Sequence, residues 1–166
     1  MSGFIGGEGT KSGILQENDE TLSCAVILSG NYLIKQNNGW WLPAANEMEP
    51  RHDPFGWWDD TNRKIIPKKR GIYQVYGNAF LSNGESGYLF GHMITYNGME
   101  GNHTMHCFNF PSSTQDVVCQ TIHQLQFDGV DDWVQITFHY NHASTERNVI
   151  GGIGMTEMGV IYLGEK

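Results

Sequence analysis

The chain has 166 residues and a net charge of −8; 21 residues are glycine, 12% are aromatic and 17% are charged. That length suits one domain with a real core, and a mix rich in glycine and aromatics but poor in Lys and Glu excludes an architecture of long amphipathic helices. The negative charge also argues against a nucleic-acid backbone as partner, because each phosphate contact wants a Lys or Arg.

Residues 1–20 differ from the rest. Four glycines fall in the first nine residues, and Ser-Gly-apolar-apolar occurs twice, at Ser2-Gly3-Phe4-Ile5 and Ser12-Gly13-Ile14-Leu15. The segment is too glycine-rich for a helix and too short for a core. Its apolar pairs Phe4-Ile5 and Ile14-Leu15 predict an arm that docks onto another surface. Residues 21–166 form the folded domain.

Leu22–Leu28 and Tyr32–Lys35 read as strands ended by Asn/Gly turns. Residues 40–60 read as irregular, with Trp40, Trp41, Trp57 and Trp58 among three prolines. Lys64-Ile65-Ile66 is a short strand before Pro67, and Lys68-Lys69-Arg70 reads as a solvated turn. Ile72–Leu81 alternates as a long strand. Tyr88–Tyr96, Val117–Phe127, Trp133–Tyr140 and Val160–Leu163 follow, with Ser82–Gly87 and Asn97-Gly98 as turns. Turns every 8–12 residues without a 3.6 period predict an antiparallel all-β sandwich, jelly roll or barrel.

Cys24, Cys107 and Cys119 are odd in number and lack CxxC spacing, so reduced structural thiols are expected rather than a zinc site or disulfide framework. No basic and apolar leader is seen, and no apolar run reaches bilayer length, which predicts a soluble protein.

The stretch WWDDTNRKIIPKKRGIYQVYGNAFL, Trp57–Leu81, resembles a signature of the tumour necrosis factor and complement globular-head superfamily. The matching positions are Asp59 or Asp60, Thr61-Asn62, Ile65-Ile66, Pro67 and Gly71-Ile72-Tyr73. Leu125–Ile136 resembles that family's Leu-x-x-Gly-Asp-x-Val strand with extra residues between Gly129 and Trp133, and Gly159–Leu163 resembles its closing strand. Residues 22–56 align poorly with it. The resemblance implies an antiparallel jelly roll. The arm MSGFIGGEGTKSGIL separately resembles the leader of tailed-bacteriophage virion proteins.

Alternation in Ile72–Phe80 places Tyr73, Val75, Gly77 and Ala79 on one face and Ile72, Gln74, Tyr76, Asn78 and Phe80 on the other. The first set suits a jelly-roll interior. The second mixes aromatics with amides, as subunit interfaces do. In the resembled family this outer face lines a threefold axis, which assigns Gln74, Tyr76 and Asn78 to a homotrimer contact.

Catalytic and metal chemistry finds little support in the motifs. His103, His106 and Cys107 lie close together, but the His-x-x-His spacing fails a cupin pattern and has no following Glu. His139 and His142 read as surface or interface residues. Gly151-Gly-Ile-Gly154 lies between short β segments, not before a helix, so it is no phosphate loop. Asp131-Asp132 reads as a turn. The Trp pairs form either a sugar-stacking platform or packing at the sandwich end. With the complement-head-like domain, the leader's resemblance implies a phage virion surface protein, expected to be non-enzymatic and without metal or cofactor: a trimeric head decoration or cement protein strapped to the major capsid protein by its arm. It would sit on the particle surface after assembly in the host cytoplasm. The alternatives are a tail or fibre-tip receptor-binding module that takes a host glycan, and, lower in rank, a metal-dependent enzyme on a double-stranded β-helix.

Overall fold

A computed structural model describes residues 21–34, 40–43, 47–84, 89–98, 103–109, 115–141 and 147–165. The arm, with Phe4, Ile5, Ile14 and Leu15, and His142 lie outside the described residues. Among the described residues, thirteen strands occur in chain order: β1 Ser23–Leu28, β2 Tyr32–Ile34, β3 Trp40–Trp41, β4 Met48–His52, β5 Trp58–Asp59, β6 Lys64–Ile65, β7 Gly71–Gly84, β8 Leu89–Tyr96, β9 His103–Asn109, β10 Gln115–Phe127, β11 Val134–Asn141, β12 Arg147–Ile150 and β13 Glu157–Gly164. No helix among the described residues is long and apolar enough to cross a membrane.

The strands form two antiparallel sheets. In the seven-stranded sheet β7 is flanked on one side by β10 and on the other by β13 and β12; β1 and then β4 continue beyond β13, and β2 joins β12. The six-stranded sheet runs β5-β6-β11-β8-β9, with β3 also pairing β11. Between them lies one core, with Val26, Leu28, Tyr73, Val75 and Val160 from the first sheet and Phe90, Val134, Ile136 and Phe138 from the second. Tyr73 meets Trp57, Phe127 and Tyr162 edge-on at centroid distances of 5.8, 5.1 and 5.2 Å, an arrangement that aromatic quadrupoles favour. Gly77 lets β7 approach the opposite sheet, since a Cβ there would fall 2.7 Å from Ile94 Cδ1.

The structure corrects the reading of residues 40–60 as wholly irregular: β3, β4 and β5 lie within it. Two of these are only two residues long. The third carries Pro50 in an edge strand that pairs β1 alone, where a missing N–H breaks no ladder. Strand β12 gives bounds, Arg147–Ile150, to the short β segment expected before Gly151. Leu125–Ile136, read with extra residues, resolves into the end of β10, a turn at Asp128–Asp132 and the start of β11.

Candidate functional site: the outward face of the long sheet

The alternation expected in β7 is present. Tyr73, Val75, Ala79 and Leu81 are fully buried in the core, while Ile72, Gln74, Tyr76 and Phe80 are half-buried on the other face. Neighbouring strands repeat the division in register. On β10, Gln124 lies opposite Gln74, Ile122 opposite Tyr76, Gln120 opposite Asn78 and Val118 opposite Phe80. On β13, Ile161 lies opposite Gln74 and Glu157 opposite Asn78. The result is a face of isoleucine, valine and aromatic rings interleaved with amides. Its β10 margin is open, with Ile122 67% and Val118 47% exposed.

Tyr76 lies flat because its cross-strand partner on β13 is Gly159. A Cβ on Gly159 would sit 2.5 Å from Tyr76 Oη, so any side chain there would lift the ring off the sheet. Burial raises the Tyr76 pKa above its ordinary value, the Glu157 carboxylate raises it further, and the Arg51 guanidinium opposes both. Arg51 and Glu157 pair at 3.1 Å on this face.

Asn78 is placed differently from Gln74 and Tyr76. It is only 8% exposed, and its Nδ2 donates to the Met155 carbonyl at 2.8 Å. Asn78 thereby braces the β12–β13 connection, from which Ile153 and Met155 protrude.

Trp57 is buried at 3%, packed against Phe55 and Tyr73. Its ring has no free face for a ligand. The Asp53 carboxylate accepts hydrogen bonds from the backbone N–H of Trp57 at 2.7 Å and of Trp58 at 2.9 Å. Trp58 is half-buried against the core, with its indole N–H buried and unbonded. Trp40 and Trp41 form β3, opposite His139 and Phe138 of β11.

His103 and His106 both fall on β9, three positions apart. Cys24 and Cys119 are buried and outside any disulfide, and burial pushes the Cys24 pKa upward. Asp128, Asp131 and Asp132 bring carboxylate oxygens within 4.8 Å of one another. The Asp128 oxygen already accepts the backbone N–H of Val130 at 2.8 Å and those of Asp131 and Asp132 at 3.2 and 3.3 Å. This is turn chemistry. What the outward sheet face offers is binding by apolar burial and amide pairing.

Sequence reasoning missed Val118, Ile122 and Ile161, which share this face with Gln74 and Tyr76. The signal was present, because Val118, Gln120, Ile122 and Gln124 repeat the apolar-amide alternation of β7.

No family model and no curated protein sequence matches the chain. Solved structures do. An Eiger tumour necrosis factor from S. frugiperda superposes with a TM-score of 0.62 at 12% identity, covering 88% of this chain and 94% of that one. The globular domain of zebrafish complement 1qA gives 0.55 at 13% identity over 89% and 100%. Murine APRIL at pH 8.5 gives 0.55 at 10% identity over 85% and 99%. At such identities the likeness speaks for the fold: the chain is a jelly roll of the tumour necrosis factor and complement globular-head type.

Proposed function

We propose that the protein is a non-enzymatic virion component, a homotrimeric head decoration protein whose residues 1–20 strap it to the major capsid protein. The observation that carries self-association is the outward face of the long sheet. Ile122 and Val118 stand exposed beside Tyr76 and Phe80, an apolar margin that a second copy would cover. Tyr and amides around an apolar centre are the composition of interfaces. The capsid role rests on the likeness of the arm to phage virion leaders. A receptor-binding module built on the Trp pairs is the less favoured reading, because Trp57 is consumed by the core.

Two measurements test the proposal. Sedimentation equilibrium of the full chain should give three times the 18.7 kDa chain mass; a monomer at micromolar concentration would overturn the trimer. Deleting residues 2–16 should leave a folded trimer that no longer attaches to particles lacking the protein. Attachment at full strength without those residues would move the anchor into the domain. Purified virions carrying the protein only at the tail tip would favour the receptor-binding reading.

A further inference from the structure

One end of the long sheet holds a cleft of about 330 Å³ lined by Lys69, Arg70, Gly71, Gln126 and Glu165. It is assembled from the start of β7, the end of β10 and the residue after β13. The basic turn read as merely solvated is pinned in place. Lys68 Nζ donates to the Val130 carbonyl at 2.8 Å, and the Lys69 ammonium sits 4.3 Å from the centre of the Tyr162 ring. Gly129 packs so closely that a Cβ there would fall 2.4 Å from the Arg70 nitrogen. Gly71 keeps the cleft wall to bare backbone, because a Cβ would meet Tyr162 Cε2 at 2.3 Å and the Gly164 carbonyl oxygen at 2.6 Å.

Two lysines of the turn are thus engaged, and the arginine is not. Among the described residues, no hydrogen bond or ion pair occupies the side chains of Arg70, Gln126 or Glu165. A guanidinium and a carboxylate lining one cleft without closing on each other offer a fork of donors beside a strong acceptor. We propose that this cleft binds an acidic sugar, its carboxylate on Arg70 and its neighbouring hydroxyls on Glu165 and Gln126.

The chemistry selects that class. An arginine fork matches a planar carboxylate bidentately. A sulfate or phosphate dianion would meet the Glu165 carboxylate, and a cationic ligand would meet Arg70 and Lys69. A nucleic-acid strand would be repelled by the chain's net charge of −8. The volume lies at the small end of ligand pockets, and a single hydroxylated ring fits. Neither Trp57 nor Trp58 lines the cleft, and the proposal stands whether or not the chain is a trimer.

The test is a chemical-shift titration of the full chain with D-glucuronate, D-glucose and sulfate. Saturable shifts with millimolar glucuronate are expected at residues 69–71, 126 and 165, with weaker response to glucose and sulfate. Arg70→Ala should weaken glucuronate about tenfold. Glu165→Gln should strengthen sulfate more than glucuronate, so that the preference for glucuronate narrows. Arg70 is exposed, so its variant is expected to keep the wild-type fold; Gln126→Ala, also at an exposed position, supplies a second reading through a smaller loss. Glucose binding as well as glucuronate, sulfate binding the wild type at least as tightly, or no saturable glucuronate shift would each overturn the proposal.

Discussion

The two sheets turn opposite kinds of face outward. The long sheet presents Ile122, Val118, Tyr76 and Phe80, and leaves the first two largely exposed. The other sheet, on the side away from its core residues Val134, Ile136 and Phe138, carries Gln135, Thr137 and Thr95, and these are 9%, 4% and 0% exposed. Gln135 Nε2 donates to the Asn62 carbonyl at 2.8 Å, in the turn before β6, and Lys64, the first residue of β6, has its ammonium 3.7 Å from the centre of the Trp133 ring. The hydroxyls of Thr95 and Thr137 are buried without a hydrogen-bond partner in the structure. Polar groups are covered where apolar ones are not. The second face is therefore closed within the chain, at some cost in unpaired hydroxyls, whereas the first has its covering still to come. That contrast is what favours the long sheet as the contact in the proposed trimer.

The largest expected effect comes from charging the open face. Ile122→Asp or Tyr76→Glu would place like charges of three copies in one desolvated contact and remove about 1.5–3 kcal/mol of side-chain burial per copy. Sedimentation should show monomers with unchanged far-ultraviolet circular dichroism. A trimer that survives both substitutions would put the interface elsewhere. Gly159→Val comes next. Its side chain must displace the Tyr76 ring, and overpacking of this kind costs about 1–3 kcal/mol. The expected result is a lower urea midpoint together with weakened association; a wild-type midpoint would mean that Tyr76 moves aside freely.

The closed face predicts a smaller effect of opposite sign. Thr137→Val replaces an unbonded buried hydroxyl by a methyl of the same shape, so it should be neutral or stabilising by up to about 1 kcal/mol. The reciprocal change, Val118→Thr on the open face, should leave monomer stability alone and weaken association. Urea unfolding and sedimentation on both variants separate the two faces. Loss of stability in Thr137→Val would show that the hydroxyl has a partner after all.

Why was half of this contrast legible in the sequence? Period-two alternation in Ile72–Phe80 identified both the buried and the outward face of β7, because a strand's side chains have no other choice. The neighbours of β7 were not legible. That β10 lies beside it, setting Ile122 against Tyr76, depends on topology that no local pattern encodes. The same holds for Asn78, whose amide finds a carbonyl 77 residues away, and for the cleft, whose Arg70, Gln126 and Glu165 come from three separate stretches. The short strands β3 and β5 escaped because two residues cannot show a period. The buried threonines were invisible for a different reason: Thr95 and Thr137 carry an exposed-strand composition, and nothing local to them signals their burial.

The finest test of the open face uses pH. Tyr76 has its pKa raised by burial and by Glu157, and covering by a second copy would raise it further. A tyrosine whose folded pKa exceeds the unfolded value lends stability that is complete below about pH 10 and is withdrawn as pH rises through the raised value. Tyr73, in the core beside Tyr162, is also raised, and Tyr96, whose hydroxyl donates to the Gln126 carbonyl, is pushed up to about 12. In the proposed trimer these two belong to the fold and Tyr76 to the contact, so ionising Tyr76 should dissociate the trimer without unfolding the chain. Sedimentation and near-ultraviolet circular dichroism, followed together on the alkaline side, should show mass falling while the aromatic signal persists. Tyr76→Phe keeps the ring over Gly159 and deletes the ionisation, so it should assemble at neutral pH and hold together to higher pH than wild type. Identical dissociation profiles for the two proteins would remove Tyr76 from the interface, and with it the claim that this face is where the copies meet.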